Sequence, residues 1–148
     1  HGTAGALGWM NLDVNASPDH NHGHLERTGS GTALNFYGKT LYPPLSSYEI
    51  IEKARLKDSQ CVSIVEKVGS FLGKALASLT SVLDPEIIIF SGGLCSAFDV
   101  FEPIIKKHIN EHASPSTKET PIVVSKLGNL AGVYGALKLA REEDAIWL

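Results

Sequence analysis

Four apolar residues in a row, Ile87-Ile88-Ile89-Phe90, lie between the helix-stopping pair Asp84-Pro85 and the turn-forming trio Ser91-Gly92-Gly93. The run lacks the alternation of a strand with one wet face. It suits a parallel strand covered on both faces by helices, and that requirement selects a layered α/β architecture. Just upstream, Ile64, Val68, Phe71, Leu72, Ala75, Leu76, Leu79 and Val82 recur at three- and four-residue steps. Their period predicts one long core-packing helix over about Ser59 to Leu83. It stops at Asp84, because proline disfavours helical geometry in the residue before it. Downstream, Asp99 and Glu102 mark the start of a helix carrying Phe101, Ile105 and Ile109, and Pro121 introduces a second short strand, Ile122-Val123-Val124. A helix around Gly132, Gly135 and Ala136 closes the chain, its small residues suited to close helix packing. In the opening segment, Leu12 and Val14 alternate with Asn11 and Asp13 after Gly2, Gly5 and Gly8, which predicts a strand behind a crowded turn. Asn15 to Thr32 has no period of its own and is expected to be a loop. Ser46 or Ser47 can cap a helix from near Tyr48, with Ile51 and Ala54 inward. The resulting order, strand and helix three times over, predicts parallel strands with packed helices.

A chain of 148 residues with 43% hydrophobic content can bury one core, so a single domain over residues 1–148 is expected. The net charge of −3, with no run of like charge, gives no footprint for nucleic acid. No apolar stretch reaches bilayer length, and His1-Gly2-Thr3-Ala4 has no signal-peptide pattern, so no membrane partner and a cytoplasmic location are expected. The two cysteines, Cys61 and Cys95, build neither a disulfide framework nor a four-cysteine zinc site.

Ligands of layered α/β domains sit outside the carboxyl ends of strands, which puts Ser91-Gly92-Gly93 first among candidate sites. Adjacent glycines let a ligand reach the main chain, although a tight turn explains them equally well. His20, His22 and His24 alternate along the polar stretch and can offer three imidazoles to a transition metal; a solvated loop that happens to contain histidine is the alternative. Glu26 follows directly and could orient a hydroxyl-bearing ligand. Asp13 reads as a turn or cap residue, and Trp9 and Met10 as core. Cys95 has nothing nearby in sequence to activate its thiol.

Taken together, these segments carry a family resemblance. Ala4-Gly5-Ala6-Leu7-Gly8-Trp9 resembles the ROK-family signature Ala-Gly-Glu-Ile-Gly-His, and His20 to Glu26 falls where that family has a zinc loop ending in Cys-x-Glu. Ile50-Ile51-Glu52-Lys53-Ala54, Lys57-Asp58, the long helix, Asp84-Pro85-Glu86, Ser91-Gly92-Gly93 and the segment from Leu127 to Ala136 are similar to the family's carboxyl half, in order. The resemblance implies the carboxyl-terminal lobe of an actin-like ATPase (ribonuclease H-like) fold, from an ATP-dependent, glucokinase-like sugar kinase using ATP with Mg. By the same resemblance, Gly92 and Gly93, with Ser91, line the nucleotide site, and Glu26 binds sugar hydroxyls. Ala6 stands where the family has a second sugar-contacting glutamate, Trp9 where it has a histidine that binds sugar and zinc, and His20, His22 and His24 where it has zinc cysteines. The family's Asp-x-Gly-Gly-Thr turn and catalytic aspartate have no counterpart in this sequence. The expectation is therefore one lobe of a two-lobed protein, without its first strands and inactive alone, whose partners are a hexose, an amino-terminal lobe and a second copy in a homodimer. Within the same family, the effector-binding lobe of a sugar-responsive repressor is the alternative, as is a non-catalytic sugar-binding or dimerisation module.

Overall fold

The structure, a computed structural model, describes residues 2–18 and 20–141. The expected long helix is present as α4, Ser59–Leu83, and every other element of the core is built around it. Asp58 caps its start, its side chain accepting a hydrogen bond from the Cys61 amide at 3.0 Å. At the other end Asp84 takes a left-handed conformation with φ of 44° just before Pro85. Val68, Leu72, Ala75 and Leu76 are buried as their period requires, whereas Val82, near the carboxyl end, is exposed.

Helix α3 (Ser47–Arg55) starts at Ser46 with a complete capping box: the Ser46 hydroxyl accepts from the Glu49 amide, and the Glu49 carboxylate accepts from the Ser46 amide. It packs Ile50, Ile51 and Ala54 into the core. Helix α5 (Phe98–His112) lies along α4 and contributes Phe101, Ile105 and Ile109, all fully buried. Gly69 and Gly73 of α4 make that closeness possible. A Cβ at Gly73 would lie 2.9 Å from His108 Cβ and 3.2 Å from Ile105 Cα, and one at Gly69 would lie 3.1 Å from Ile104.

Strands β1 (Ile88–Phe90) and β2 (Ile122–Val124) pair in parallel, Ile88 opposite Ile122 and Phe90 opposite Val124. Ile88, Phe90 and Ile122 lean on the core, while Ile89 is 59% exposed. The expectation of a strand covered on both faces is therefore corrected: among the described residues only one face of the sheet is packed. The last helix, α6 (Ala131–Arg141), also departs from its reading, since none of its residues is buried and nothing lies within 4 Å of a Cβ placed at Gly132 or Gly135.

Two further expectations are corrected near the start. Asn11 to Val14 forms no strand. The Asn11 side chain accepts from the Asp13 amide and the Asp13 side chain from the Asn15 amide, each at 2.9 Å, so the segment closes into side-chain turns that compete with any ladder. The stretch expected as a loop to Thr32 contains α1 (His24–Gly29) and the beginning of α2 (Gly31–Lys39). Asp99 lies in the first turn of α5, as expected, with its carboxylate paired with Arg55. No described helix is long and apolar enough to cross a membrane.

Candidate functional site

The turns that follow the two strands meet at the carboxyl edge of the sheet. The Ser91 hydroxyl donates to the Gly128 carbonyl at 3.1 Å, and the Ser125 amide donates to the Phe90 carbonyl at 2.7 Å. Gly92 has φ of +86°, a conformation that L side chains rarely adopt, and a Cβ at Gly92 or Gly93 would meet nothing within 4 Å. The main chain is thus bare on this turn, with open space beside it.

Across from that turn, the segment around Gly8 is pressed onto the start of α1. A Cβ at Gly23 would lie 2.0 Å from the Gly8 carbonyl oxygen, so only glycine permits the approach. The Leu25 amide completes the contact by donating to the Met10 carbonyl at 3.1 Å. This packing leaves Glu26 beside Gly8, where a Cβ would be 3.3 Å from Glu26 Cβ. The Glu26 carboxylate is oriented by two hydroxyls that donate to Oε1, Ser30 at 3.0 Å and Thr32 at 2.8 Å. Oε2 has no such partner among the described residues.

Both features line one cavity of about 700 Å³, which Glu26, Ser30 and Thr32 border on one side and Ser91, Gly93 and Ser96 on the other. Glu26 is the one carboxylate among its described lining residues, and Arg55 the one cation. Arg55 was not legible as a site residue. Its guanidinium makes a fork to Asp99, Nε to Oδ2 at 2.9 Å and Nη2 to Oδ1 at 2.6 Å, and Nη2 also donates to the Ser96 carbonyl at 2.6 Å. The carboxylates of Asp99 and Glu52 hold Arg55 firmly in its charged form, and the Arg55 fork holds the Asp99 carboxyl below the usual carboxylate range. The network pins the Gly93–Ala97 turn, and with it the glycine lip of the cavity, to α3.

The histidines do not come together in this way. His20 and His22 are exposed, whereas the His24 ring packs edge-on to Phe71, centroids 5.6 Å apart, and its Nδ1 accepts from the Leu12 amide at 3.5 Å. Among the described residues the ligand atoms of His20, His22 and His24 do not gather closely enough to share an ion. Packing against Phe71 of α4 holds the third imidazole. Trp9, expected in the core, is 57% exposed.

The profile of the ROK family matches residues 1–143. Among curated relatives, a glucokinase of Halalkalibacterium halodurans is 31% identical over 68% of this chain and 31% of its own length. An N-acetyl-D-glucosamine kinase of Mannheimia succiniciproducens is 31% identical over 93% of the chain and 50% of its own length. The chain therefore spans half or less of the length of these relatives. Among solved structures, a putative sugar kinase from Cytophaga hutchinsonii superposes with a TM-score of 0.75 at 24% identity, covering 95% of this chain and 49% of that one. A ROK family glucokinase from Streptomyces griseus in complex with glucose and AMPPNP gives 0.64 at 23%, over 78% and 43%. A ROK family transcriptional regulator, a homologue of the E. coli MLC protein, gives 0.69 at 23%, over 80% and 33%. At these identities the structural likeness speaks for the fold, which is that of the ROK sugar kinases.

Proposed function

The chain belongs to the ROK family, and from that premise we propose that it forms one wall of the active cleft of an ATP-dependent sugar kinase, which phosphorylates a hexose hydroxyl. One observation carries the reading: Glu26, the residue matched to the family's sugar-binding glutamate, and Ser91 and Gly93, matched to its nucleotide turn, line the same cavity. Similarity to glucokinases and N-acetyl-D-glucosamine kinases supports the substrate class.

In this reading Glu26 accepts hydrogen bonds from sugar hydroxyls through Oε2, while Ser30 and Thr32 keep Oε1 occupied and the carboxylate fixed. Such fixing reduces the entropy lost when the sugar is ordered. The bare turn at Gly92 and Gly93 fits a nucleotide, because no Cβ fills the space beside its main chain. ATP, with its Mg ion, supplies the phosphoryl group when bound. Arg55 does not reach out to the phosphates; its donors are spent on Asp99, Glu52 and Ser96, and its work is to hold the glycine lip in place. The cavity offers no second described carboxylate to act as base beside Glu26. The proton acceptor is therefore assigned to the remainder of a two-lobed enzyme, and this chain alone is expected not to turn over. No step of the reading uses zinc.

The solved ROK regulator favours a second reading, in which the same cavity binds a sugar effector without phosphorylating it. Calorimetric titration of the full-length protein with glucose, mannose and N-acetylglucosamine, followed by a coupled assay for ADP release, separates the two. Binding with turnover supports the kinase, and binding without turnover supports the effector site. Glu26→Gln is expected to weaken sugar binding by about tenfold or more, on the order of one lost charge-assisted hydrogen bond. No heat with any of the three sugars would remove sugar recognition altogether.

A further inference from the structure

The end of α5 carries a cluster that the cleft does not use. His108 and His112 stand one helical turn apart with their rings stacked, centroids 5.5 Å apart and planes 16° from parallel. Between them, Glu111 Oε2 lies 3.9 Å from His108 Nδ1 and 3.7 Å from His112 Nε2. One ligand atom from each residue falls within 4.8 Å of the other two, and among the described residues no other trio of histidine, cysteine, aspartate or glutamate does so. His108 Nδ1 is buried and has no hydrogen-bond partner.

We propose that His108, Glu111 and His112 form a transition-metal site at the carboxyl end of α5, suited to a zinc-class dication. Tetrahedral bonds of about 2.0–2.2 Å place neighbouring ligand atoms roughly 3.3–3.6 Å apart, so Glu111 Oε2 lies within a few tenths of an ångström of that spacing from each imidazole nitrogen, and the exposed His112 ring must rotate out of its stack on His108 for both lone pairs to converge on one ion. Two imidazoles and one carboxylate with an open coordination position select Zn, Cu or Ni over Mg or Ca, which prefer all-oxygen shells. The site is pre-shaped by packing. His108 is seated against Gly73 of α4, where a Cβ would come within 2.9 Å of His108 Cβ and 3.1 Å of Cδ2, so the ring cannot turn away and Nδ1 is left facing Glu111. An ion there would give the orphaned nitrogen the partner it lacks, and a buried polar atom without one is rare in folded proteins. Lys74 and Lys107 face the His108 imidazole and oppose a cation, and Glu111 supplies the negative charge that offsets them. None of the three ligands borders the cavity of the proposed sugar site. The ion would therefore brace the last turn of α5 and the bend into β2 rather than take part in phosphoryl transfer.

Titration of ZnCl2 into metal-free protein in chelator-free buffer tests the assignment, with His112→Ala, Glu111→Gln and the double variant His20→Ala/His22→Ala run in parallel. Glu111 and His112 are exposed, so their variants should keep the fold, and far-UV circular dichroism checks this. One equivalent of zinc is expected to bind the parent chain. Outer-shell partners of metal ligands typically contribute about 10–100-fold in affinity, so losing His112 or Glu111, which are direct ligands, should weaken binding by about tenfold or more. The His20/His22 variant should bind as the parent does. Cobalt in place of zinc should give visible absorption bands that His112→Ala abolishes. Absence of binding, binding unchanged in His112→Ala, or binding lost only with His20 and His22 would each overturn the proposal.

Discussion

Arg55 holds one edge of the candidate cavity in place through its side-chain pairs. Its guanidinium reaches the carboxylates of Glu52 and Asp99 and the carbonyl of Ser96, and so connects α3 to the turn that follows Gly92. Because Asp99 is ionised more readily in the fold than in the open chain, its pairing favours the native state above the ordinary carboxylate range, near pH 3.9. That contribution is lost as pH falls through the lower folded value. Asp99→Asn should therefore lower the melting temperature at neutral pH, with the difference from the parent shrinking toward zero in strong acid. The pair is partly exposed, so the loss should amount to about 1 kcal/mol or less. A difference that persisted unchanged at pH 2 would mean that Asp99 acts through packing or its helix position and not through charge. Nothing in the sequence announced this pair, since its members are 44 residues apart and the helix-start signature that contains Asp99 says nothing of Arg55. Glu26 and Gly93 were singled out from local features, a carboxylate after a polar stretch and a glycine pair after a strand, and both border the cavity.

At the scale of elements, the packing of α4 on α5 turns on Gly69 and Gly73, which let two helix backbones approach where larger residues would hold them apart. Gly73→Val adds three carbons where even one would lie 2.9 Å from His108 Cβ and 3.2 Å from Ile105 Cα. Overpacking of this kind typically costs about 1–3 kcal/mol, more than the gain in helix propensity from removing a glycine. Urea unfolding should show that loss with an unchanged slope; a variant as stable as the parent would mean that the helices separate freely. The long apolar period of α4 was readable because burial dictates it directly, whereas the unbroken run at Ile87–Phe90 gave the strand but not its bare face, since Ile87 and Ile89 are exposed. Helices α1 and α2 were not readable: each is short, and the helicity of α1 depends on tertiary packing. Leu25 and Gly29 are buried, and a Cβ at Gly29 would lie 3.2 Å from the Leu72 amide of α4. Propensity ranks Gly29 low, and the contact overrides it. The strand expected at Asn11 to Val14 failed for the opposite reason: its alternation was real, but Asn11 and Asp13 satisfied nearby amides themselves and left no call for a partner strand.

Over the whole molecule, stability should be divided unequally. The core gathers α2, α3, α4 and α5 around Val68, Phe101 and Ile105, whereas α6 buries nothing. Eleven residues are too few for an isolated helix to be more than marginal in water, and the main neighbour of α6 is the short Gly128–Leu130 turn that precedes it. Val133, Tyr134, Leu137 and Leu139 are each about half exposed, and Ile89 on the sheet is more so. Hydrogen exchange on this chain should therefore find the amides of α4 and α5 opening only with global unfolding, while those of α6 are protected about tenfold or less. The proposed two-lobed enzyme sharpens the expectation, because a chain spanning half of its relatives' length leaves apolar surface that the remainder of such a protein would cover. In the full-length protein, protection of α6 should rise toward that of α4. If α6 were already as protected as α4 in this chain alone, its apolar face would have a partner within these residues, and the unpacked sheet and helix would not be surface prepared for another lobe.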